Sequence, residues 1–422
     1  MVSPLHRLLV IALALALAGL CAASSATVAL ASPAPRLGNA VAVGTGGKAT
    51  GIAGVCARRA KRKVLRSSGA TASAKAAPKS RAASTRIKRR ADKLRRRCLK
   101  NLRRHSRPST ASQSVPLPEA GPLTLAIDGG YGDWSETELE EREALGAAVT
   151  RHEWDTSEPV DAQDDVVLAA AAEVHTRIHA LLGENDLGDP NQYREWVVEF
   201  IRRYGPGGAF WSAHPELDAS RYAITSVELG NEPYFGEMSA AEYADAVRPA
   251  LEEIHKLNLP VKVVLDSRVY GNDTSWMDTM YARIPNLNSL FYAFADHPYW
   301  YGHDPAETSP AGPFDRIETL RKRMIEQGAG NKPIFITEYG ESTADCGDEC
   351  VDEATQADHL QEMISAVATH PEWGVEMLSV YQLRDRGTDS SDRERQFGLL
   401  REDGSEKPAY GIVEAAIQQY RG

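Results

Sequence analysis

The chain is poor in cysteine, with five in 422 residues, and those it has are badly spaced for metal. Cys56 and Cys98 lie far apart, Cys346 and Cys350 are close but not a CxxC pair, and no histidine sits near either pair in sequence. That excludes a zinc ligand set of ordinary spacing. No other metal motif is present, so neither metal nor cofactor is expected. The apolar run near the start, Leu8 to Leu20, has only 13 residues, too few for a comfortable bilayer span. No Gly-rich phosphate turn follows the first apolar β run, because Asp128-Gly129-Gly130-Tyr131-Gly132 does not fit the dinucleotide fingerprint. Residues 33–118 have no aromatic side chain and a single acid, Asp92.

What is present divides into three materials. Met1 to Ala31 carries Arg7, the apolar run and then small residues with Ala-x-Ala-like sites near Ser24-Ser25-Ala26 and Ala29-Leu30-Ala31. This reads as a secretory signal peptide. Lipidation at Cys21 is the weaker reading, since bulky Leu20 stands where a small residue is wanted. Residues 32–118 form a basic low-complexity arm rich in Ala, Ser, Gly and Thr, with 23 Lys and Arg against one acid over 33–118. Such a segment cannot bury enough apolar surface to offset the entropy of ordering, and it is expected to be largely disordered. With no aromatic rings to stack on bases, nucleic acid is not its expected partner. An anionic cell envelope, or the acidic remainder of the chain, is, with a plain solvated linker as the alternative. Residues 119–422 hold 24 Lys and Arg against 57 Asp and Glu, so the formal net charge of −10 hides two opposed halves. Four cysteines past the signal suit an oxidising compartment and two disulfides, most simply Cys56–Cys98 and Cys346–Cys350.

From about Pro122 the pattern alternates apolar β runs with amphipathic helical stretches. The runs are Leu123 to Ile127, Ala148 to Trp154, Arg177 to Leu182, the run ending at Leu229, Val261 to Leu265, Ser289 to Phe294, the run ending at Glu338, and Val375 to Tyr381. Capping signals punctuate the helices between them: Ser135 with Glu138, Asp189 with Pro190, and Ser239 with Glu242. Eight strands with intervening helices in about 300 residues match a (β/α)8 TIM barrel over 119–422. A doubly wound sheet is the runner-up, and the missing phosphate turn counts against it.

Barrel enzymes place their chemistry at the C-terminal ends of the strands. Those ends here carry Asp128, Arg151, His152, Glu153, Asn231, Glu232, Asp266, His297, Tyr299, Glu338, Tyr381, Gln382 and Arg384, of which His152 and Glu153 are given no role. Two of them, Glu232 and Glu338, each close an apolar run, and paired carboxylates are what glycosidic bond hydrolysis requires. Gly230-Asn231-Glu232-Pro233 and Thr337-Glu338-Tyr339-Gly340 resemble the paired signatures of the clan A glycoside hydrolases, retaining barrel enzymes that include families five and thirty-nine. The segment Phe397-Gly398-Leu399-Leu400, with Gly404 to Tyr410 after it, is also similar to them. The resemblance implies Glu232 as general acid/base, Glu338 as nucleophile and Asn231 as the partner of the sugar 2-hydroxyl. It implies that Tyr299, in a His-x-Tyr element with His297, hydrogen-bonds the nucleophile.

From the chemistry alone, an ionised Glu338 needs donors, for which Arg151 and Tyr299 are the candidates. Glu232 must keep a proton, which calls for desolvation and a nearby negative charge. Trp300, Tyr301, Trp154 and Tyr234 are candidate platforms for sugar rings. The chain departs from the family-five pattern at strand eight, where Tyr381-Gln382 replaces the usual Trp, and Gln382 or Tyr381 is expected to line that wall. A Cys346–Cys350 disulfide would stiffen the rim after strand seven. The expectation is a secreted or cell-wall-associated monomeric retaining glycosidase acting on a polysaccharide or oligosaccharide. A catalytically silent carbohydrate-binding barrel and a transglycosylase are the alternatives.

Overall fold

Eight apolar runs become eight short parallel strands in this computed structural model, which describes residues 123–131, 134–160, 162–184 and 186–420. The strands are β1 (Thr124–Tyr131), β2 (Val149–Trp154), β3 (Arg177–Leu182), β4 (Ser226–Leu229), β5 (Lys262–Asp266), β6 (Ala293–Asp296), β7 (Ile334–Tyr339) and β8 (Val375–Val380). Each pairs with the next and β8 pairs back onto β1, closing the barrel. The helices are α1 (Glu136–Leu145), α2 (Ala162–Glu173), α3 (Pro190–Tyr204), α4 (Ala209–Ala213), α5 (Ala219–Tyr222), α6 (Ala240–Lys256), α7 (Ser275–Arg283), α8 (Pro313–Glu326), α9 (Glu353–Thr369) and α10 (Pro408–Gln419). The fold is a (β/α)8 TIM barrel. The signal peptide of 1–31, the basic arm of 32–118 and the Cys56–Cys98 pairing lie outside the described residues.

Local chemistry sets these boundaries. Ser135 and Ser239 each close a capping box at the start of α1 and α6, and Asp189 accepts from Asn191 and Gln192 ahead of Pro190 in α3. Two boundaries differ from expectation. β6 starts at Ala293 rather than Ser289, because Leu287–Ser289 turns as a 3-10 helix after a left-handed Asn286. The short α4 and α5, which bury Phe210, Trp211 and Tyr222, are too brief to show a helical period in sequence.

The period of two along each strand sorts the core. Ala126, Val149, Val264, Ala293, Ala295, Phe335 and Met377 form a small cluster inside the barrel. Ile127, Leu182, Leu229, Leu265, Phe294, Ile336 and Leu378 belong to the larger core shared with the helices. In β4, Val227 and Leu229 join that outer core. Alternation therefore turns Glu228, which is buried, to the barrel interior.

Candidate active site

The backbone is specialised where the two signature glutamates emerge. After β4, Gly230 (φ 80°) and then Glu232 (φ 43°) take left-handed conformations before Pro233 opens a 3-10 turn over Pro233–Gly236. A non-glycine residue held there is strained, and such strain concentrates at functional sites. Tyr243 fastens the corner from below: its hydroxyl donates to the Leu229 carbonyl at 2.7 Å and accepts from the Asp266 N–H at 3.1 Å. Between β7 and β8 the register shifts between Ile336 and Tyr339. That irregularity spans Thr337 and Glu338, re-aiming consecutive side chains, and both engage the barrel mouth. Gly340 is required at the next turn, since a Cβ there would lie 2.0 Å from the Tyr381 carbonyl oxygen.

Arg151, at 3% exposure, is the electrostatic centre. Its Nη1 donates to Glu338 Oε1 at 2.7 Å and to Asp128 Oδ2 at 3.1 Å, its Nε to Glu228 Oε2 at 2.8 Å, and its Nη2 to Asn231 Oδ1 at 2.8 Å. Burial alone would lower its pKa, but Glu228, Glu338 and Asp128 overcome that and hold the guanidinium firmly charged. Tyr299 supplies the second donor to Glu338, hydroxyl to Oε2 at 3.0 Å. Both groups named as candidate donors in sequence are therefore in place.

His297 joins the two carboxylates. Its Nδ1 lies 3.0 Å from Glu232 Oε1 and 3.8 Å from Glu338 Oε2. Two legs from one nitrogen hold those oxygens closer than the legs laid end to end. That brings the two carboxylates to one gap at the barrel mouth, the arrangement a two-carboxylate glycosidase site uses. Tyr234 adds a hydrogen bond from its hydroxyl to Glu232 Oε1 at 3.2 Å.

The charge pattern corrects one expectation. A negative neighbour was to keep the proton on Glu232, but an imidazole faces it instead. Burial lowers the His297 pKa, yet Glu338 and Glu232 more than compensate and lift it to about 10. Burial lifts Glu232, and His297, Tyr234 and Arg151 reverse this, leaving it below the ordinary value. The hydrogen bond between His297 Nδ1 and Glu232 Oε1 therefore carries one proton that the pair shares. Burial also raises Glu338, with Asp128 and Glu232 adding to it against His297 and Arg151. Its bonding partners Arg151 and Tyr299 are both donors, which suits a carboxylate rather than an acid.

The cleft encloses roughly 740 Å³ including its open mouth, and Glu232, Glu338, Asn231, Arg151 and Tyr299 line it together. Other expected residues lie elsewhere. His297 is buried behind Glu232 and touches it rather than the cleft. Trp300 stacks on His303 at 4.7 Å and packs against Gly312, away from the cleft lining. Trp154 is core, edge-on to Phe200 at 4.9 Å. Gln382 is buried, and it is the preceding Tyr381 that faces the cleft, beside Phe397 at 5.3 Å between rings. Of the four candidate platforms, Tyr301 lines the cleft. His152 stays neutral in the core, pushed down to about 3 by burial and Arg142.

Glu153, found at a strand end in sequence but given no role, also lines the cleft, as do Glu184, Arg386 and Glu394, which sequence reading missed. Glu153 is raised to about 8 by burial and by its hydrogen bond to Glu184. Asp128 and Glu153 could be inferred from their places at strand ends; the other three come from loops without a motif. The Cys346–Cys350 disulfide is present, with Cα atoms 5.5 Å apart. Its loop braces the rim: Glu349 accepts from Arg393 Nη1 at 2.8 Å, and the Arg393 guanidinium lies 4.1 Å from the centre of the Tyr301 ring. Among the described residues no group of histidine, cysteine and acid side chains is arranged to hold a metal.

No family model and no curated protein matches the sequence. Solved structures do match the fold. A family 39 glycoside hydrolase from the gut symbiont Bacteroides cellulosilyticus WH2 superposes with a TM-score of 0.54 at 16% identity, covering 71% of this chain and 65% of that one. A glucosidase from Croceicoccus marinus gives 0.53 at 13% identity, covering 72% and 69%. A monomeric beta-xylosidase from Caulobacter crescentus CB15 gives 0.50 at 13% identity, covering 71% and 69%. The chain thus spans 65% of the length of the family 39 hydrolase. At such identities the likeness is one of fold: this protein carries the eight-stranded parallel barrel of the glycoside hydrolases it resembles.

Proposed function

We propose that this protein is a secreted retaining glycoside hydrolase that cleaves O-glycosidic bonds by double displacement. The observation that carries the reading is the convergence of Glu232 and Glu338 on His297 Nδ1, at 3.0 and 3.8 Å. In the first step a Glu338 oxygen attacks the anomeric carbon and forms a glycosyl ester. The bond to the leaving oxygen breaks as that oxygen takes the proton shared by Glu232 and His297. In the second step Glu232 accepts a proton from water, the water oxygen attacks the anomeric carbon, and Glu338 departs as a carboxylate. Arg151 and Tyr299 lower the energy of Glu338 as an anion before and after the covalent stage. Asn231, its carboxamide oxygen fixed by Arg151, is placed in the cleft as the partner of a sugar hydroxyl.

The lining supports a neutral glycan as substrate. Six carboxyl groups (Asp128, Glu153, Glu184, Glu232, Glu338 and Glu394) stand against two guanidiniums, Arg151 and Arg386, an arrangement that repels uronate-rich chains. The two most exposed aromatic rings among the described residues, Phe235 at 70% and Tyr270 at 69%, lie on the loops after β4 and β5. Phe235 leads outward from Glu232 through the Tyr234 ring, 4.9 Å away. An exposed ring next to the Tyr234 that bonds Glu232 offers a stacking surface for a further sugar unit. The signal peptide would export the enzyme, and the basic arm would hold it against an anionic envelope.

The test is Glu232→Ala and Glu338→Ala on a panel of mannan, glucan, xylan and aryl glycosides. Loss of turnover in both is expected, with azide restoring Glu338→Ala on an activated aryl glycoside and giving the inverted glycosyl azide. Wild-type turnover in both variants would overturn the reading.

A further inference from the structure

Glu228 lies four positions before Glu232 on the interior face of β4 and is 1% exposed. It is bonded to one arm of each catalytic carboxylate. Its Oε2 accepts from Arg151 Nε at 2.8 Å, and Arg151 in turn donates to Glu338 at 2.7 Å. Its Oε1 accepts from the Thr337 hydroxyl at 2.9 Å, and Thr337 Oγ1 lies 2.9 Å from His297 Nε2. His179 Nε2 stands 3.3 Å from Oε2 on the far side. Burial would raise this carboxyl, but Arg151 and His179 overcome that and keep it far below the ordinary value, so it is an acceptor only.

The consequence is a fixed sequence of donors. Thr337 has one hydroxyl proton and gives it to Glu228. Its oxygen can then only accept, so His297 Nε2 must carry hydrogen. The other ring nitrogen, Nδ1, faces Glu232 Oε1 at 3.0 Å with a single proton between them, whichever of the two atoms holds it. An Nδ1–H tautomer with a bare Nε2 would set two acceptors face to face at Thr337. We infer that Glu228 is the positioning residue of the site: through Thr337 it fixes hydrogen on His297 Nε2, leaving Nδ1 to share a single proton with Glu232, and through Arg151 it orients the guanidinium that serves Glu338. This rests on the proposed glycosidase reading for its catalytic meaning, although the tautomer follows from the hydrogen bonds alone.

The experiment compares two glycosides of one sugar, a dinitrophenyl glycoside that needs little protonation of its leaving group and an alkyl glycoside that needs it fully. Thr337→Val cuts only the arm toward Glu232. Its kcat/KM is expected to fall at least about tenfold further on the alkyl than on the dinitrophenyl glycoside, with Thr337→Ser restoring the wild-type ratio. Glu228→Leu removes both acceptor oxygens and so cuts both arms; both substrates slow and the ratio also shifts. An unchanged ratio in Thr337→Val and Glu228→Leu, with wild-type enzyme active, overturns the relay and leaves the glycosidase reading standing. The imidazole nitrogen spectrum of the wild-type protein tests the tautomer without turnover. A protonated Nε2 on His297 is expected, and a bare Nε2 overturns the relay even if no glycoside is cleaved. Inactivity of the wild type on every glycoside, with Nε2 protonated, overturns the catalytic reading instead.

Discussion

Replacing Arg151 by Met tests the electrostatic heart of the site, because the aliphatic stem is retained while the charge is removed. In the native site one buried guanidinium is bonded to Asp128, Glu228 and Glu338 and to the Asn231 amide. Removing one partner of a buried pair costs about 3–5 kcal/mol, because a charge is left uncompensated. Here three carboxylates lose it together, and at low pH they escape part of the penalty by binding protons. The sign can be worked through for Glu228. In the native protein its pKa is depressed, so it contributes stability above the ordinary carboxylate range that is lost as pH falls. In the variant the same carboxylate, buried without its cation, is raised, so stability is greatest at low pH and is lost as pH rises. The melting-temperature gap between wild type and variant therefore widens with pH. At about 2–4 °C per kcal/mol for a chain of this size, it reaches roughly 10 °C at pH 8 and shrinks towards pH 5. Thermal unfolding by circular dichroism at several pH values and constant ionic strength measures it. A gap that is constant with pH, or below about 2 °C throughout, would refute the reasoning.

Two further outcomes follow from the charges at the mouth. Activity requires Glu338 ionised and one proton between Glu232 and His297. The acid limb is expected above the ordinary glutamate value, since Glu338 is raised, and the alkaline limb near the His297 value of about 10. In His297→Asn the alkaline limb of kcat/KM should move down by at least about one pH unit, and an unmoved limb contradicts the shared-proton account. Asp266, 7% exposed at the end of β5, is raised to about 7, by burial first and then by Glu232 and Asp296. Its folded pKa exceeds the unfolded one, so stability falls as pH rises from about 4 to 7 and then levels. Asp266→Asn keeps an acceptor for the Arg268 N–H and is expected to raise stability at pH 8 by up to about 4 kcal/mol. Denaturant unfolding of both proteins at pH 5 and pH 8 checks this, and a variant no more stable than the wild type at pH 8 counts against it.

Much of this was legible in the sequence because the signals were local. Two apolar β runs, each ending in glutamate, named Glu232 and Glu338, and eight such runs with capped helices between them gave the barrel. Arg151 and Tyr299 stood at strand ends and proved to be the donors to Glu338. What escaped depends on direction rather than position. Trp300 and Tyr301 are neighbours, yet only the second faces the cleft, and the same holds for Gln382 and Tyr381. Glu184, Arg386 and Glu394 reach the lining from loops whose course no periodicity encodes. His297 read as a sugar contact, whereas its two nitrogens are taken up by Glu232 and Thr337. Glu228, to which the sequence reading gave no role, is the instructive case. It is a charged residue between Val227 and Leu229, which pack outward, so alternation alone places it inside the barrel, where a carboxylate needs a cation.

The stereochemistry of the first-formed product bears most directly on the central claim. Proton NMR of the anomeric signals, recorded in the first minutes of turnover on any glycoside the enzyme accepts, reads it before mutarotation intervenes. Attack by Glu338 from one face, followed by water activated at Glu232 on the face the leaving group has left, returns the starting anomeric configuration. A product that first appears with the opposite configuration would contradict it, because a single displacement by water leaves no nucleophilic role for Glu338.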